Sequence, residues 1–176
     1  MIRKYLPYEN FTISSRLPLA EVRKRLADNV QPKRTFRLTA FGNSHGKPYE
    51  GQIFADSFSI SRIINYKNSF LPVVNGQIST FLGKTEIHVK MRLPTFVLIF
   101  TLLWLGIVGL VCLGIIIMGI IQFNTIVQNG FSPMILIPFV MFLFGCILTS
   151  AAFKAESKRS RQFLERLWEA QEVSDY

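Results

Sequence analysis

The side chains able to do acid–base or nucleophilic chemistry in this chain are few and scattered. The two histidines are His45, inside a Gly42–Pro48 stretch rich in turn residues, and His88, in a run of alternating residues. Ser44 precedes His45, but neighbours in sequence lack the geometry by which an imidazole takes a proton from a serine. The acids Glu9, Glu21, Asp28, Glu50, Asp56 and Glu86 stand singly. No HExxH, Walker loop, GxSxG or dinucleotide fingerprint is present. Cys112 and Cys146 lie in apolar runs without CxxC or Cys/His metal spacing, so two small polarizable packing residues are the simpler reading than a bridge. No catalytic centre, metal or cofactor is expected; a concave cluster of Glu50 and Asp56 with His45 or His88 would reverse that.

A second group carries hydrogen-bonding rather than reactive chemistry. Tyr66, Asn68 and Ser69 lead into the apolar stretch that begins with Phe70 and contains Pro72. Their simplest role is to satisfy backbone groups around a bulge at Pro72. The same five residues form the candidate interaction cluster.

The elements that must position these groups are readable from periodicity. Residues 1–16 show no clear period and read as an irregular or extended lead-in. Leu19, Val22 and Leu26 recur at helical spacing behind Pro18, which suits the first helical position, so a short amphipathic helix is predicted over Pro18–Asp28. Phe36, Leu38 and Ala40 then alternate with Arg37 and Thr39, the signature of a half-buried strand. Further strands are predicted at Tyr49–Ala55 and Ser57–Ile64, with Tyr66–Val74 extended and Pro72 marking an edge or bulge. Asn75-Gly76 is either a hairpin turn or a kink within one long strand. Ile87, Val89 and Met91 alternate with Glu86, His88, Lys90 and Arg92 as the last strand, behind a turn at Leu82-Gly83-Lys84. The expected fold class is α+β: a small N-terminal helix and an antiparallel sheet of about 4–6 strands, then a hairpin of transmembrane helices and a C-terminal amphipathic helix.

Between Arg92 and Lys154 the chain has no lysine, arginine, aspartate, glutamate or histidine. Two apolar runs, Pro94–Gln122 and Met134–Phe153, each meet the roughly 20 residues a helix needs to cross about 30 Å of hydrocarbon. The expected organisation is a cytoplasmic domain over 1–92, membrane helices over 93–122 and 134–153, an outward loop over 123–133, and a cytoplasmic helical tail over 154–176. Gly109, Cys112 and Gly119 project within about a quarter turn of one another at about 100° per residue, a candidate helix-packing seam. Pro138 is expected to kink the second helix. In the tail, Phe163, Leu164, Leu167 and Trp168 make one apolar stripe, expected to pack on the β-rich domain.

The formal net charge is +9, and its placement sets an orientation. The segment before the first apolar run holds 15 Lys/Arg against 6 Asp/Glu, while the linker between the runs holds none. Lys84, Lys90 and Arg92 before the first run, and Lys154, Lys158, Arg159 and Arg161 after the second, are read as membrane-surface charges. Such charges favour the cytoplasmic side, so both termini are expected there. The expected partners are a bilayer with an anionic inner leaflet and a protein partner or a second copy of the chain. Nucleic acid is not expected, because the basic excess is what a membrane surface requires. Transport along the helices is disfavoured, since no ionisable group lies at membrane depth.

One segment is more specific than patterning: Phe58-x-Ile60-x-Arg62-Ile63-Ile64-x-Tyr66-x-Asn68-Ser69-Phe70-Leu71-Pro72-Val73-Val74-x-Gly76, followed by Thr85-x-Ile87-x-Val89-x-Met91-Arg92. It resembles a group of small bacterial membrane proteins of uncharacterised activity, which carry a Tyr-x-Asn-Ser-Phe-x-Pro core in a cytoplasmic domain before paired helices. The resemblance spans about Phe36–Trp104, with a Phe-x-x-Glu-like start to the tail at Phe153 and Glu156. It implies this architecture and location in a bacterial inner membrane, and carries no activity. The expected function is therefore a non-catalytic, membrane-tethered interaction or scaffold protein. The alternative is an oligomeric effector that permeabilises or remodels the bilayer.

Overall fold

The computed structural model describes residues 7–32, 46–64, 66, 68–81, 83–122 and 132–175. The expected strand over Phe36–Ala40, and His45 with most of its turn, lie outside them. The chain divides into two units, Met1–Pro94 with Ala152–Tyr176, and Thr95–Ala151.

The first unit is α+β, and its described residues build one mixed sheet of seven strands rather than an antiparallel sheet of four to six. In chain order its elements are β1 (Tyr8–Ser15), α1 (Leu19–Asn29), β2 (Val30–Pro32), β3 (Tyr49–Ile53), β4 (Ser57–Arg62), β5 (Val73–Phe81), β6 (Lys84–Arg92) and β7 (Glu172–Asp175). Their order across the sheet is β2-β3-β4-β5-β6-β1-β7. All pairs are antiparallel except β2 with β3. Pro32 lies in β2, an outermost strand, where its missing N–H costs least. The lead-in is a full strand, β1, which pairs along its whole length with β6, from Tyr8↔Arg92 to Ser15↔Thr85.

In α1, Val22 and Leu26 are buried as their spacing predicts, and Pro18 sits one position earlier than expected, as the cap. Its carbonyl accepts from the N–H groups of Glu21 and Val22 at 2.9 and 3.1 Å. The extended segment expected at Tyr66–Val74 becomes a strand only at Val73. Asn75-Gly76 is strand interior and not a turn. Gly76 pairs with Phe58, and a Cβ at position 76 would fall 2.0 Å from the Phe58 ring. The turn comes after Phe81, at Gly83, whose φ of +76° suits glycine.

One face of the sheet is apolar. Phe11, Ile13, Phe58, Ile60, Val74, Ile78, Ile87, Val89 and Met91 are all buried in one core. α1 contributes Val22 and Leu26, and the C-terminal segment contributes Phe153, Leu164 and Trp168, each fully buried. Burying such a side chain contributes about 1.5–3 kcal/mol. The tail helix continues the second apolar helix past Phe153, as the sequence leads one to expect. It is the end of α3 (Ile137–Leu167), which belongs to the first unit from Ala152 onward.

Trp168 is held by polar bonds as well as packing. Its indole N–H donates to the Val22 carbonyl at 3.2 Å, and its own carbonyl accepts from the Ser15 hydroxyl at 2.6 Å. Past it, Glu169 takes a left-handed φ of 50°. Ala170 N–H donates to the Glu165 carbonyl at 2.9 Å and Glu169 N–H to that of Arg166 at 3.4 Å, the bond pair of a Schellman ending. Glutamate there costs backbone energy that glycine would not, but its carboxylate lies 2.6 Å from Arg25 of α1. The reversed chain then forms β7, antiparallel to β1.

The second unit contains α2 (Thr95–Ile121), a 3₁₀ turn over Pro133–Leu136, and the first part of α3. Both helices are long and apolar enough to cross a membrane, and in each only 6% of the most apolar window is buried. The two pack through small residues. A Cβ on Gly145 would meet the Trp104 ring at 2.5 Å, and one on Gly109 would meet Phe142 at 3.3 Å. Cys112 is buried, while Gly119 faces open space. Both cysteines are free thiols. Pro138 is the second residue of α3, a first-turn position where no helical N–H is lost, and not a mid-helix kink.

Candidate functional site

Two polar features of the first unit have the character of a site. The first is the sheet face opposite the core. Side chains alternate across a strand, so burying Val74, Gly76 and Ile78 turns Asn75 and Gln77 to the other side. The same rule puts His88 and Lys90 of β6, Asn10 and Thr12 of β1, and Ser57 and Ser59 of β4 on that side. Register aligns them in rows: Asn10, Lys90, Asn75 and Ser59 in one, Thr12, His88, Gln77 and Ser57 in the next. All of these except Thr12, together with Phe54, line a shallow groove of about 730 Å³. Thr12 Oγ1 lies 2.6 Å from His88 Nδ1, fixing the imidazole so that Nε2 is the nitrogen left for an outside partner.

The groove offers amides, hydroxyls, one imidazole and one ammonium, and its lining contains no carboxylate. Of the four residues whose convergence would signal catalysis, His88 lines it, Glu50 and Asp56 do not, and His45 is outside the described residues.

The second feature is built around Glu156, near the start of the part of α3 that belongs to this unit. The residue is 3% exposed. Tyr66 donates its hydroxyl hydrogen to Glu156 Oε1. Arg159, one turn on, places Nη1 at 3.2 Å from Oε1, while Arg62 at the end of β4 places Nε 3.4 Å from Oε2. Both guanidinium groups also reach the Tyr66 oxygen, at 3.4 Å from Arg62 and 3.3 Å from Arg159. Tyr49 and Ser160 lie beside this group in the interior. Tyr49 Oη, Ser160 Oγ, Arg62 Nε and Glu156 Oε2 are buried without an aligned hydrogen bond among the described residues.

The two tyrosines are perturbed in one direction for different reasons. Donation to the Glu156 carboxylate raises the Tyr66 pKa above the ordinary phenol value, with burial a lesser cause. For Tyr49 burial is the main cause of a raised pKa, and the facing Ser160 hydroxyl pulls it partly back.

The candidate interaction cluster therefore divides. Tyr66 turns to Glu156. Asn68 Oδ1 accepts from the Phe70 N–H at 3.0 Å, the local turn bond expected of such a residue. Phe70 packs against the core, Pro72 is buried just ahead of β5, and Ser69 is exposed.

The membrane-surface charges divide too. Lys84, Lys90, Arg92 and Lys158 are exposed, with Lys90 in the groove. Lys154 is bound to Glu9 at 3.0 Å, with Ser157 donating to the same carboxylate oxygen at 2.9 Å. Arg161 is committed internally: it stacks over Phe11 at 4.7 Å and pairs with Glu165 and Asp175 at 2.9 and 2.7 Å. A count of charges beside an apolar run cannot separate these from the solvated ones.

Sequence reasoning reaches Arg62 and Glu156 only through the resemblance, and misses Thr12 and Ser160 as polar groups of these clusters. A polar residue at an inward or helix-facing position is the signal available for such groups, and it becomes readable only once the faces are assigned. Among the described residues no three metal-ligating side chains come together. Comparison with protein-family models, with curated proteins and with solved structures finds no match.

Proposed function

We propose that this protein is a membrane-tethered interaction module, without catalytic chemistry, that displays its open sheet face to a partner. One observation carries the reading: a single chain joins two uncovered apolar helices to a sheet with one face packed as core and the other left polar and grooved. A sheet face that has only to meet water needs no concavity lined by aligned amides, an imidazole and an ammonium.

The charge distribution supports an orientation with both termini in the cytoplasm, where the groove would be presented, and the resemblance implies a bacterial inner membrane. A reporter fused after Tyr176 is expected to read cytoplasmic, and an outward signal would overturn the orientation. The partner surface is tested by photocrosslinking from Gln77 in the groove and, as control, from exposed Lys158. Discrete adducts from Gln77 alone are expected, and equal labelling from both sites would sink the assignment.

A further inference from the structure

The Glu156 cluster carries more positive charge than its carboxylate needs. One guanidinium and one phenol suffice to satisfy a buried carboxylate. Here two guanidinium groups converge on it, leaving a net charge of +1 among Arg62, Arg159 and Glu156. The surplus falls on Arg159, whose side chain is 57% exposed.

Among the described residues, every bond Arg159 makes leaves from Nη1, to Glu156 and to Tyr66. Its Nε–Nη2 edge, the pair of parallel N–H groups that matches two oxygens of one phosphate, is unengaged among them. Arg62 likewise commits Nη2 to Tyr66 and has no bond from Nη1 among the described residues. Tyr66 Oη, 48% exposed as a residue, lies between the two. Behind them, Arg62 Nε and Glu156 Oε2 form a buried ion pair at 3.4 Å, which fixes the Arg62 guanidinium and leaves its outer nitrogens toward Tyr66. Glu156 and Arg159 follow the last apolar residue of the second run, Phe153, within six positions.

We propose that Arg62 and Arg159 form a seat for the phosphate of an anionic lipid headgroup, with Glu156 as the positioning residue that holds both guanidinium groups and Tyr66 bridging them through its hydroxyl oxygen. The proposal rests on the membrane-tethered reading. A phosphodiester with no cationic headgroup brings the single negative charge that the cluster lacks. The planar guanidinium fork suits it better than an ammonium would.

The test uses the full chain purified in a neutral maltoside detergent, titrated calorimetrically with dioctanoyl phosphatidylglycerol, dioctanoyl phosphatidylcholine or sodium phosphate. The expected result is saturable phosphatidylglycerol binding, much weaker phosphatidylcholine binding, and about tenfold loss in Arg159→Gln, the effect of one charge-assisted hydrogen bond. Arg159→Lys, which keeps the charge and loses the fork, should also weaken binding, while Lys158→Gln should not. Equal loss in Arg159→Gln and Lys158→Gln would mean a diffuse basic surface and overturn the seat, as would no loss in either. Inorganic phosphate binding as tightly as the lipid would assign the site to a soluble phosphate and overturn the lipid. The tethering is read separately, on unmodified chain in cell membranes. Release by alkaline carbonate would refute the membrane reading itself, whereas retention with unaltered Arg159→Gln binding would refute only the seat.

Discussion

Tyr66 and Glu156 are ninety positions apart in the chain, and their pairing gives the α+β unit a signature in alkaline solution. Both Tyr66 and Tyr49 have pKa values raised in the folded state, the first by its carboxylate partner and the second by burial. A group whose folded pKa exceeds its unfolded value, about 10 for a phenol, stabilises fully below that pH. The stabilisation fades as pH rises through the folded pKa. Stability is therefore expected to hold up to about pH 10 and decline above it. Ultraviolet titration of tyrosinate in the full chain should show late-ionising phenols. Glu156→Gln is expected to return Tyr66 toward the ordinary range and to lower stability by about 2–3 kcal/mol, since it leaves Arg62 partly buried without its counter-charge. A tyrosinate titration unchanged by Glu156→Gln would refute the pairing. The sequence alone points to Tyr66 as a hydrogen-bonding residue. It gives no sign that the partner is a carboxylate beyond both apolar runs, because the contact is made by the fold and not by any local pattern.

Among the elements, the strand β5 illustrates how one glycine fixes a packing layer. The Phe58 ring occupies the place where a side chain at position 76 would stand, and Phe58 in turn lies 5.7 Å from Trp168, ring centre to ring centre. Gly76→Val would have to displace that ring and is expected to destabilise by at least the 1–3 kcal/mol typical of an overpacked core, about 3 kcal/mol or more here. Thermal unfolding followed by Trp168 fluorescence, in a Trp104→Phe background, checks it; a wild-type transition would show that the layer is soft.

Element by element, alternation with a clear polar–apolar contrast made β3, β4 and β6 readable, and helical spacing did so for α1. β1 has the same inward alternation, but its third inward residue is Ser15 and its outward Thr12 is itself buried, so the contrast is blurred. β7 has one apolar residue, Val173, and exists as a strand through its pairing with β1. The continuation of α3 past Phe153 was readable, while the place of Pro138 depended on where the α-helix begins.

For the molecule as a whole, the decisive feature is that the sheet and its core are assembled from segments on either side of the two apolar helices. Phe153, Leu164 and Trp168 are each fully buried, and β7 covers the outer side of β1. A chain ending at Ala152 would lose all three, and replacing even one such aromatic by alanine costs about 3–5 kcal/mol. That exceeds what a marginally stable domain can absorb. Limited proteolysis of membranes carrying the full or shortened chain is the check. The full chain should yield a protected fragment over 1–92, and the shortened one should not; equal protection would show that the N-terminal part folds unaided.

The same feature sets an order of events during synthesis. The strands before the first apolar stretch leave the ribosome earlier than the residues that seal them, which follow both long apolar stretches. The early segment must wait in an unfinished state while those stretches are made. Arrival of the segment from Phe153 to Asp175 then completes the domain. A chain stalled or clipped late in translation would thus leave an open sheet edge and an unsealed apolar face, the two features that quality-control proteases and chaperones recognise. Folding here doubles as a check that synthesis has passed both apolar stretches.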